Sequence, residues 1–541
     1  MRQLFTIAMF VLCSGCINQR VDLIVHHAQI YTVNNNFAMA EAMAIQDGKI
    51  VAIGTNDEIL KEYQSDSTVN AKGAIVYPGF IDAHAHFMGY GQSLYAVDLM
   101  FVGSWEEAIQ RVKDFAVKHP GKGWIKGRGW DQNRFPGKAF PSNSELNALF
   151  PDRPVILERV DGHASIANDF ALQLAGVKPG QTIEGGQFTI QNGKLTGLLI
   201  DNAVGVVERY VPEATQADYK NWLTAAQQNC FATGLTTITD CGLSPSDIDQ
   251  VDALQKSGDL KMRLYVMLSD KPASYTSKYF TGGGYTTDRL SVKGVKVYGD
   301  GALGSRGACL LQPYADKAGW SGFLLSSPAH FDSVAAKLIH TDFQMCTHAI
   351  GDSANRTILK VYAKYLKGKN DKRWRIEHAQ IIDPNDFHYF GDNSIIPSVQ
   401  PTHGTSDMYW AGERLGAERL KGGYAYKQLL EQNNWLPLGT DFPVEEINPF
   451  KTFLAAVARK DAKGFPANGF QMENVLTREQ TIRGMTIWAA KANRMENQVG
   501  SIEIGKKADF ILLDKDLMKV PTDSILHVKV LKTYIGGERV F

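Results

Sequence analysis

A long alternation of short apolar runs and helical stretches, from residue 78 to residue 498, most constrains the fold of this chain. Helical stretches such as 104–117, 217–233 and 333–339 separate apolar runs that have the length of strands. Such an alternation indicates a parallel α/β architecture, and about eight strands favour a (β/α)8 TIM barrel over an open sheet. The runs interpreted as strands are 154–158, 235–239, 262–268, 292–298, 343–348, 374–378, 395–399 and 436–439.

Two stretches, 124–140 and 180–197, interrupt this alternation because they are rich in glycine or polar residues. The functional loops of a (β/α)8 barrel gather at the carboxyl ends of its strands. We therefore interpret both stretches as insertions close to a functional site.

Both ends of the chain predict strands outside this alternation. Residues 21–33 alternate as a half-buried strand does, and Asp47-Gly48 between two apolar runs is typical of a hairpin turn. Residues 500–514 predict further strands, so the two ends look like halves of one small β-domain. The predicted boundaries are 17–77 for its N-terminal part, 78–498 for the barrel and 499–541 for its C-terminal part.

The segment 1–16 predicts an export signal and not a part of the fold. Its apolar stretch, 4–12, is too short to span a bilayer as a permanent helix. The small residues before Cys16 resemble a bacterial lipobox, although Cys13 stands where Leu or Val is usual. We expect a lipidated Cys16 and an exported, lipid-anchored protein at the outer membrane or in the periplasm of a Gram-negative bacterium. An ordinary signal peptide, or a cytosolic protein with an apolar start, is the alternative.

Charge and composition exclude some partners. Lysine plus arginine equals aspartate plus glutamate, 57 each, so no overall field favours nucleic acid or anionic lipid. We expect the protein to bind a small molecule and no nucleic acid, and to contact a membrane only through the lipid anchor. Whether it forms a homodimer stays open. Four further cysteines form no C-x-x-C pair and have mostly apolar neighbours, so we interpret them as small buried side chains. They are Cys230, Cys241, Cys309 and Cys346.

Two histidines, His84 and His86, follow the apolar run that opens the predicted barrel. Side chains at i and i+2 of a strand point the same way, so both imidazoles could bind one metal ion. Alone the pair is weak evidence, because this spacing is common by chance.

Four more residues that are able to bind a metal end later strand-like runs: Lys296, His348, His378 and Asp441. The carboxyl ends of successive barrel strands meet at one mouth, so these side chains are expected to converge there. Imidazole and carboxylate ligands suit zinc and similar divalent ions. The set predicts a metal site with one or two ions.

At these residues the chain resembles the amidohydrolase superfamily, in the amidohydrolase-3 branch of YtcJ-like proteins and N-substituted formamide deformylases. The resemblance extends from Val21 to the C-terminus and implies a (β/α)8 barrel with a composite β-sandwich made by both chain ends. The matching motifs are PGFIDAHAH at 78–86, VKVYGDGALGSR at 295–306, THAIGD at 347–352, RIEHAQ at 375–380, GTDFP at 439–443 and GSIEIGKKAD at 500–509.

The resemblance also implies metal-ligand roles. His84, His86 and Asp441 would bind the more buried ion, and His348 and His378 would bind a second ion or join a single-metal site. Lys296 would be carbamylated by CO2 and bridge two ions. A free lysine is a cation and a poor metal ligand, so an unmodified lysine that contacts substrate is the alternative reading.

The implied reaction is hydrolysis of a non-peptide C–N bond by metal-activated hydroxide. Asp441 would pass the proton of water to the leaving nitrogen, and His163 would stabilise the oxyanion. Substrate-binding candidates are Arg306, Asp300 and Trp130, with Asp131 beside Trp130.

The sequence leaves the substrate open. An N-acyl or N-formyl amine, or a similar linear amide, is the leading expectation. Deamination of a ring, or hydrolysis of a cyclic amide or ester, would use the same fold, but the related deaminases generally lack the bridging lysine. A non-catalytic ligand-binding surface lipoprotein is the alternative of another class, and the presence of every candidate ligand argues against it.

Overall fold

The computed structural model describes residues 19–541. The predicted signal peptide and Cys16 lie outside the described residues. Within 19–541, no helix is long and apolar enough to cross a membrane.

Seven parallel strands form most of a barrel. In chain order they are β1 (Phe80–Ala85), β2 (Leu235–Leu243), β3 (Arg263–Ser269), β4 (Leu290–Tyr298), β5 (Gln344–Ala349), β6 (Arg375–His378) and β7 (Ile396–Ser398). Each pairs with the next, from β1 with β2 to β6 with β7. A two-residue strand, Tyr285–Thr286, adds to the side of β4.

The segment 436–441 closes the barrel between β7 and β1. Leu438 forms a parallel bridge with Val399. On the other side, the Ala83 N–H donates to the Leu438 carbonyl at 3.2 Å and the Asp441 N–H donates to the His84 carbonyl at 2.8 Å. The predicted (β/α)8 barrel is therefore confirmed, with its eighth position held by a short extended segment.

Helices cover the outside of the barrel and begin where the sequence supplies caps. The side-chain oxygens of Thr215, Ser244, Ser327 and Thr477 each accept a hydrogen bond from a first-turn N–H, which satisfies a free donor. Outside the β-domain and the inserted domain, the α-helices are Phe87–Ser93, Gln216–Ala232, Pro245–Lys256, Pro272–Thr276, Pro328–Leu338, Asp352–Leu366, His388–Asp392, Pro401–Asp407, Ala411–Leu420, Tyr426–Asn433, Pro449–Ala458, Arg478–Gly484 and Ile487–Ala492. Two 3-10 helices are Met472–Asn474 and Thr522–His527.

Both chain ends build one β-domain, as predicted. Its two sheets share a hydrophobic cluster in which Val25 and Met43 of one sheet meet Val76 and Phe510 of the other. The four-stranded sheet has the order Lys49–Gly54, Ala42–Gln46, Leu23–His26, Thr68–Asn70. The six-stranded sheet has the order Glu538–Arg539, Val530–Ile535, Phe510–Leu513, Ile75–Pro78, Gln29–Tyr31, Met39–Ala40. Gln19–Arg20 pairs with Tyr63–Gln64 beside the helix Asn56–Glu62.

A separate domain is inserted between β1 and β2. Its six-stranded sheet has the order Val97–Asp98, Ile125–Trp130, Val155–Arg159, Ala164–Ala167, Lys194–Asp201, Gly186–Gln191. Its helices are Trp105–Lys118, Ser144–Leu149, Asp169–Leu174 and Val204–Glu208, with 3-10 turns Gln132–Arg134 and Pro136–Lys138.

This inserted domain corrects one prediction. The run 154–158, counted as a barrel strand, lies in the inserted sheet, and β1 takes the first barrel position instead. An apolar run shows that a strand is buried but not which sheet buries it. The stretches 124–140 and 180–197, interpreted as separate insertions, are parts of this one domain.

Candidate active site

The carboxyl end of β1 places the two histidines of the opening motif at the barrel mouth. His84 is fully buried, while the side chain of His86 is 30 % exposed. Their ring centroids lie 5.6 Å apart. The pair therefore faces one site, with one ring in the barrel wall and the other toward the cavity.

Asp441 lies among three imidazoles. Its Oδ1 is 3.6 Å from His84 Nε2 and 3.3 Å from His86 Nε2, and its Oδ2 is 3.5 Å from His403 Nε2. The backbone at Asp441 has a φ of 64°, which ends the closing segment and turns the carboxylate inward. Asp441, predicted as a metal ligand and proton acceptor, is thus the carboxylate around which these three imidazoles gather.

His378 and His348 complete the ring of histidines from β6 and β5. The His378 ring centroid is 4.7 Å from that of His84 and 4.6 Å from that of His348. His378 Nδ1 lies 2.7 Å from Gln400 Oε1, and His84 Nδ1 lies 2.6 Å from Glu377 Oε2. These acceptors hold a proton on Nδ1, so each Nε2 carries the lone pair that a metal ion needs.

Lys296 reaches the same place from β4. It is buried, and its Nζ lies 3.3 Å from His84 Nε2. The structure thus brings together all six predicted ligand residues.

The residues present fit a divalent cation. His348 Nε2, His403 Nε2 and Asp441 Oδ1 are buried and have no hydrogen-bond partner within residues 19–541. A buried polar atom left without a partner costs ~1–3 kcal/mol, and a metal ion would use these lone pairs. Ligand atoms of His84, His378 and Asp441 also lie within 4.8 Å of one another.

The electrostatics of the site favour metal ligation. Burial lowers the pKa of His84 to about 4 and lowers the pKa of His348 and His378 well below the ordinary value. These imidazoles are therefore neutral at pH 7, as ligands must be. Burial alone would raise the pKa of Asp441, but its close contacts with His86, His84 and His403 lower it overall, so Asp441 is ionised.

A cavity of about 1960 Å³ opens above these residues. The barrel mouth forms one wall and the inserted domain forms another, with Asp131, Arg159, His163 and Asp201 among its lining residues. His163, the predicted oxyanion-stabilising residue, contacts the metal-ligand set, since its ring centroid is 4.9 Å from that of His348.

Three residues predicted to bind substrate do not line this cavity. Trp130 is buried in the core of the inserted domain and donates from Nε1 to the Leu157 carbonyl at 2.7 Å. The Arg306 side chain pairs with Asp316, with Nη2 2.9 Å from Oδ2. Spacing in the sequence places these residues near the motifs but does not show where their side chains point.

Asp300, the third of them, is a buried acceptor for backbone groups. It accepts hydrogen bonds from the N–H groups of Cys309, Ile350 and Gly351 at 2.7–3.0 Å. It therefore orders the loops under His348, from whose Nε2 its Oδ1 lies 3.7 Å away.

Three functional residues were missed from the sequence: Glu377, Gln400 and His403. Neighbouring strand residues normally face opposite sides, so the strand pattern that singled out His378 gave no signal for Glu377. The φ of 73° at His378 breaks that alternation, and both residues reach His84. His403 lies on the helix Pro401–Asp407 and not at a strand end, so the strand pattern gave no signal for it.

A (β/α)8 barrel with convergent histidines and an aspartate at its strand ends defines the class of metal-dependent hydrolases. Residues 67–541 match the model of the amidohydrolase family. The chain belongs to that family, in the amidohydrolase-3 branch predicted from its motifs.

Relatives match along nearly the whole chain. Protein LONG AFTER FAR-RED 3 of Arabidopsis thaliana is 33% identical over 96% of this chain and 91% of its own. Putative amidohydrolase YtcJ of Bacillus subtilis is 29% identical over 95% of this chain and 98% of its own. N-substituted formamide deformylase of Arthrobacter pascens is 25% identical over 96% of this chain and 98% of its own.

A solved structure is similar in fold. An uncharacterized metal-dependent hydrolase from Pyrococcus horikoshii superposes with a TM-score of 0.75 at 28% identity. The match covers 92% of this chain and 99% of that one, so it includes the barrel, the β-domain and the inserted domain.

Proposed function

We propose that this protein hydrolyses the C–N bond of a linear amide, an N-formyl or other N-acyl amine, with a bound divalent metal ion, zinc. The observation that carries the proposal is the convergence of three buried imidazoles, Lys296 and Asp441 with ligand atoms that lack protein partners. The similarity to an N-substituted formamide deformylase supports the choice of amide.

His84, His86 and Asp441 would hold one ion, and His348 and His378 would hold a second or share the first. When bound, the metal lowers the pKa of water toward about 7 and polarises a carbonyl oxygen. Asp441, kept ionised by its histidines, accepts a proton from water at Oδ1 and delivers it to the leaving nitrogen.

His163 faces the reacting groups from the inserted domain. Burial alone would lower the pKa of His163, but the hydrogen bond to Asp201 and its charge outweigh burial and raise it. A protonated ring donates a hydrogen bond to the carbonyl oxygen as negative charge develops there, which stabilises the transition state.

Lys296 is proposed to carry a CO2-derived carbamate. Its Nζ lies 3.3 Å from a predicted ligand atom, where an ammonium ion would repel a metal. A carbamate would replace this cation with an anionic oxygen ligand. Intact-mass measurement after equilibration with 13C-bicarbonate, compared between the wild type and Lys296→Arg, tests the modification; a wild type without added mass would contradict it.

Metal analysis combined with a substrate panel tests the function. The panel contains N-alkylformamides, N-acetyl amines and N-acyl amino acids, with ring-amine deaminase substrates and cyclic amides or esters as competitors. We expect stoichiometric metal and turnover of linear amides. Turnover of only the ring substrates would replace the proposed reaction, and a metal-free protein without turnover would favour a ligand-binding role.

We also propose lipidation at Cys16 and export to the outer membrane or periplasm, supported by the lipobox resemblance. Labelling with a palmitate analogue should be lost in Cys16→Ser. A label that persists in that variant would refute the anchor.

A further inference from the structure

His163 and Asp201 form a fixed pair at the edge of the inserted sheet. His163 lies in the turn that precedes the strand Ala164–Ala167, and Asp201 ends the strand Lys194–Asp201. His163 Nδ1 lies 2.6 Å from Asp201 Oδ1, and the Asp201 N–H donates to the His163 carbonyl at 2.9 Å. Side chain and backbone therefore hold the two residues together.

Asp201 is buried where the inserted domain meets the loop after β4. A Cβ added to Gly301 would lie 2.5 Å from Asp201 Oδ2, and one added to Gly307 would lie 2.6 Å from it. Only glycine leaves room for the carboxylate at these positions. The loop that follows Lys296 is thus shaped to receive Asp201.

A second set of contacts holds the inserted domain against the same loop after β4. Gln132 Nε2 donates to the Gly304 carbonyl at 3.3 Å, and Gln132 Oε1 accepts from Arg159 Nε at 2.7 Å. Arg159 is itself paired with Asp131 and Asp161. Because these contacts reach one loop of the barrel, the inserted domain holds its His–Asp pair at a fixed position over the site.

The contact with Asp201 decides which part of the His163 ring faces the cavity. Since Nδ1 is bound to Asp201, Nε2 occupies the opposite edge of the ring and has no hydrogen-bond partner in the described chain. The ring lies 4.9 Å, centroid to centroid, from His348. Nε2 is therefore available to the reacting amide.

We propose that Asp201 is a positioning residue, which fixes the His163 ring so that Nε2 meets the carbonyl oxygen of the amide bound at the barrel mouth. The inserted domain is then a part of the active site and not only a cover over it. This inference rests on the proposed amide hydrolysis and adds Asp201 to it.

A double-mutant cycle tests the proposal with the metal-loaded enzyme and an N-alkylformamide that the wild type turns over. Asp201→Ala should lower kcat by about 10²-fold, the cost of a misplaced group, with little change in KM. Asp201→Asn, which keeps an acceptor for Nδ1, should recover a part of this loss. The double variant with His163→Ala should be no slower than His163→Ala alone. Additive losses, or a loss seen only in KM, would overturn the proposal.

A control is the pair His388–Asp392, in which Nδ1 lies 2.8 Å from Oδ2 and neither residue lines the cavity. Asp392→Ala should keep kcat close to that of the wild type. An equal loss in this variant would show that breaking any such pair perturbs the fold, and would also overturn the proposal.

A crystal structure of metal-loaded Asp201→Ala gives a readout that does not need turnover. We expect the His163 ring to rotate or to occupy two orientations, while His348 and His378 stay in place. A ring that keeps its orientation refutes the positioning role. If no panel substrate reacts, the proposed function fails, but this comparison still decides whether Asp201 fixes the ring.

Discussion

The barrel and the inserted domain face the same cavity but place their functional groups in different ways. In the barrel, His84, Lys296 and His348 sit at or near the carboxyl ends of parallel strands, so that order along the chain predicts convergence in space. In the inserted domain, His163 lies in a turn between antiparallel strands and reaches the site because the whole domain docks on the loop after β4. Periodicity encodes the first arrangement, and tertiary packing alone creates the second.

Asp441→Asn tests the barrel half of this comparison most strongly. The variant keeps the size of the side chain and removes the proton acceptor, so kcat should fall by about 10²–10⁴-fold. Metal content, measured on the same sample, should show that the ions are retained. Unchanged turnover would remove Asp441 from the proton transfer.

The stability of the metal-free barrel should depend on pH through its buried histidines. In the unfolded chain a histidine binds a proton with a pKa near 6.5, whereas folded His84 stays neutral down to about 4. Between these values the unfolded state binds more protons, so stability falls as the pH decreases from about 6.5 to about 4. His84 alone contributes at most about 3 kcal/mol to this loss. Urea unfolding at pH 7 and pH 5 measures it, and a smaller difference in His84→Asn is the control.

Glu377→Gln tests a barrel residue whose role the sequence did not predict. Glu377 orients His84 through Nδ1, and loss of such a support typically weakens metal binding by 10–100-fold. Competition with a chromophoric chelator measures the affinity. The control is Glu418→Gln, since the exposed Glu418 carboxylate pairs with Lys421 on the surface, away from the site. Equal affinities in both variants would contradict the assigned role.

Trp130→Phe tests the inserted domain. The sequence predicted that Trp130 binds substrate, whereas the structure places it in the core of this domain. Its indole is packed in the domain core, and the substitution leaves the Leu157 carbonyl without its donor. We expect a loss of about 1–3 kcal/mol in unfolding free energy with KM unchanged. A changed KM with normal stability would restore the substrate-binding interpretation.

Arg306→Ala should have the smallest effect. The guanidinium pairs with Asp316 outside the cavity wall, and Arg414 also pairs with that carboxylate. Both kcat and KM should stay within about twofold of the wild type. Steady-state kinetics on the preferred amide decide the matter, and a large rise in KM would show that Arg306 contacts substrate after all.

The sequence predicted the barrel, the two-ended β-domain and the convergence of six side chains at the barrel mouth because each depends on a local pattern. An apolar run that is followed by a histidine, as at His348, places that histidine at the carboxyl end of a buried strand. Trp130 and Arg306 were misplaced because a side-chain direction in a loop or a second sheet depends on contacts with distant residues, such as Leu157 and Asp316. His403 was missed because it lies within the helix Pro401–Asp407 and not at the end of a strand.

The β-domain constrains the order in which the parts of the molecule can fold. The strand Ile75–Pro78 runs directly into β1 and pairs with Phe510–Leu513, which leaves the ribosome only after the whole barrel. Arg263 at the start of β3 is likewise held by Asp509, with Nη2 3.1 Å from Oδ1. Contacts this distant along the chain form late in folding because the intervening loop must first be closed. The strand that leads into His84 therefore gains its β-domain partner only after residues 510–513 have been synthesised, later than all the barrel strands.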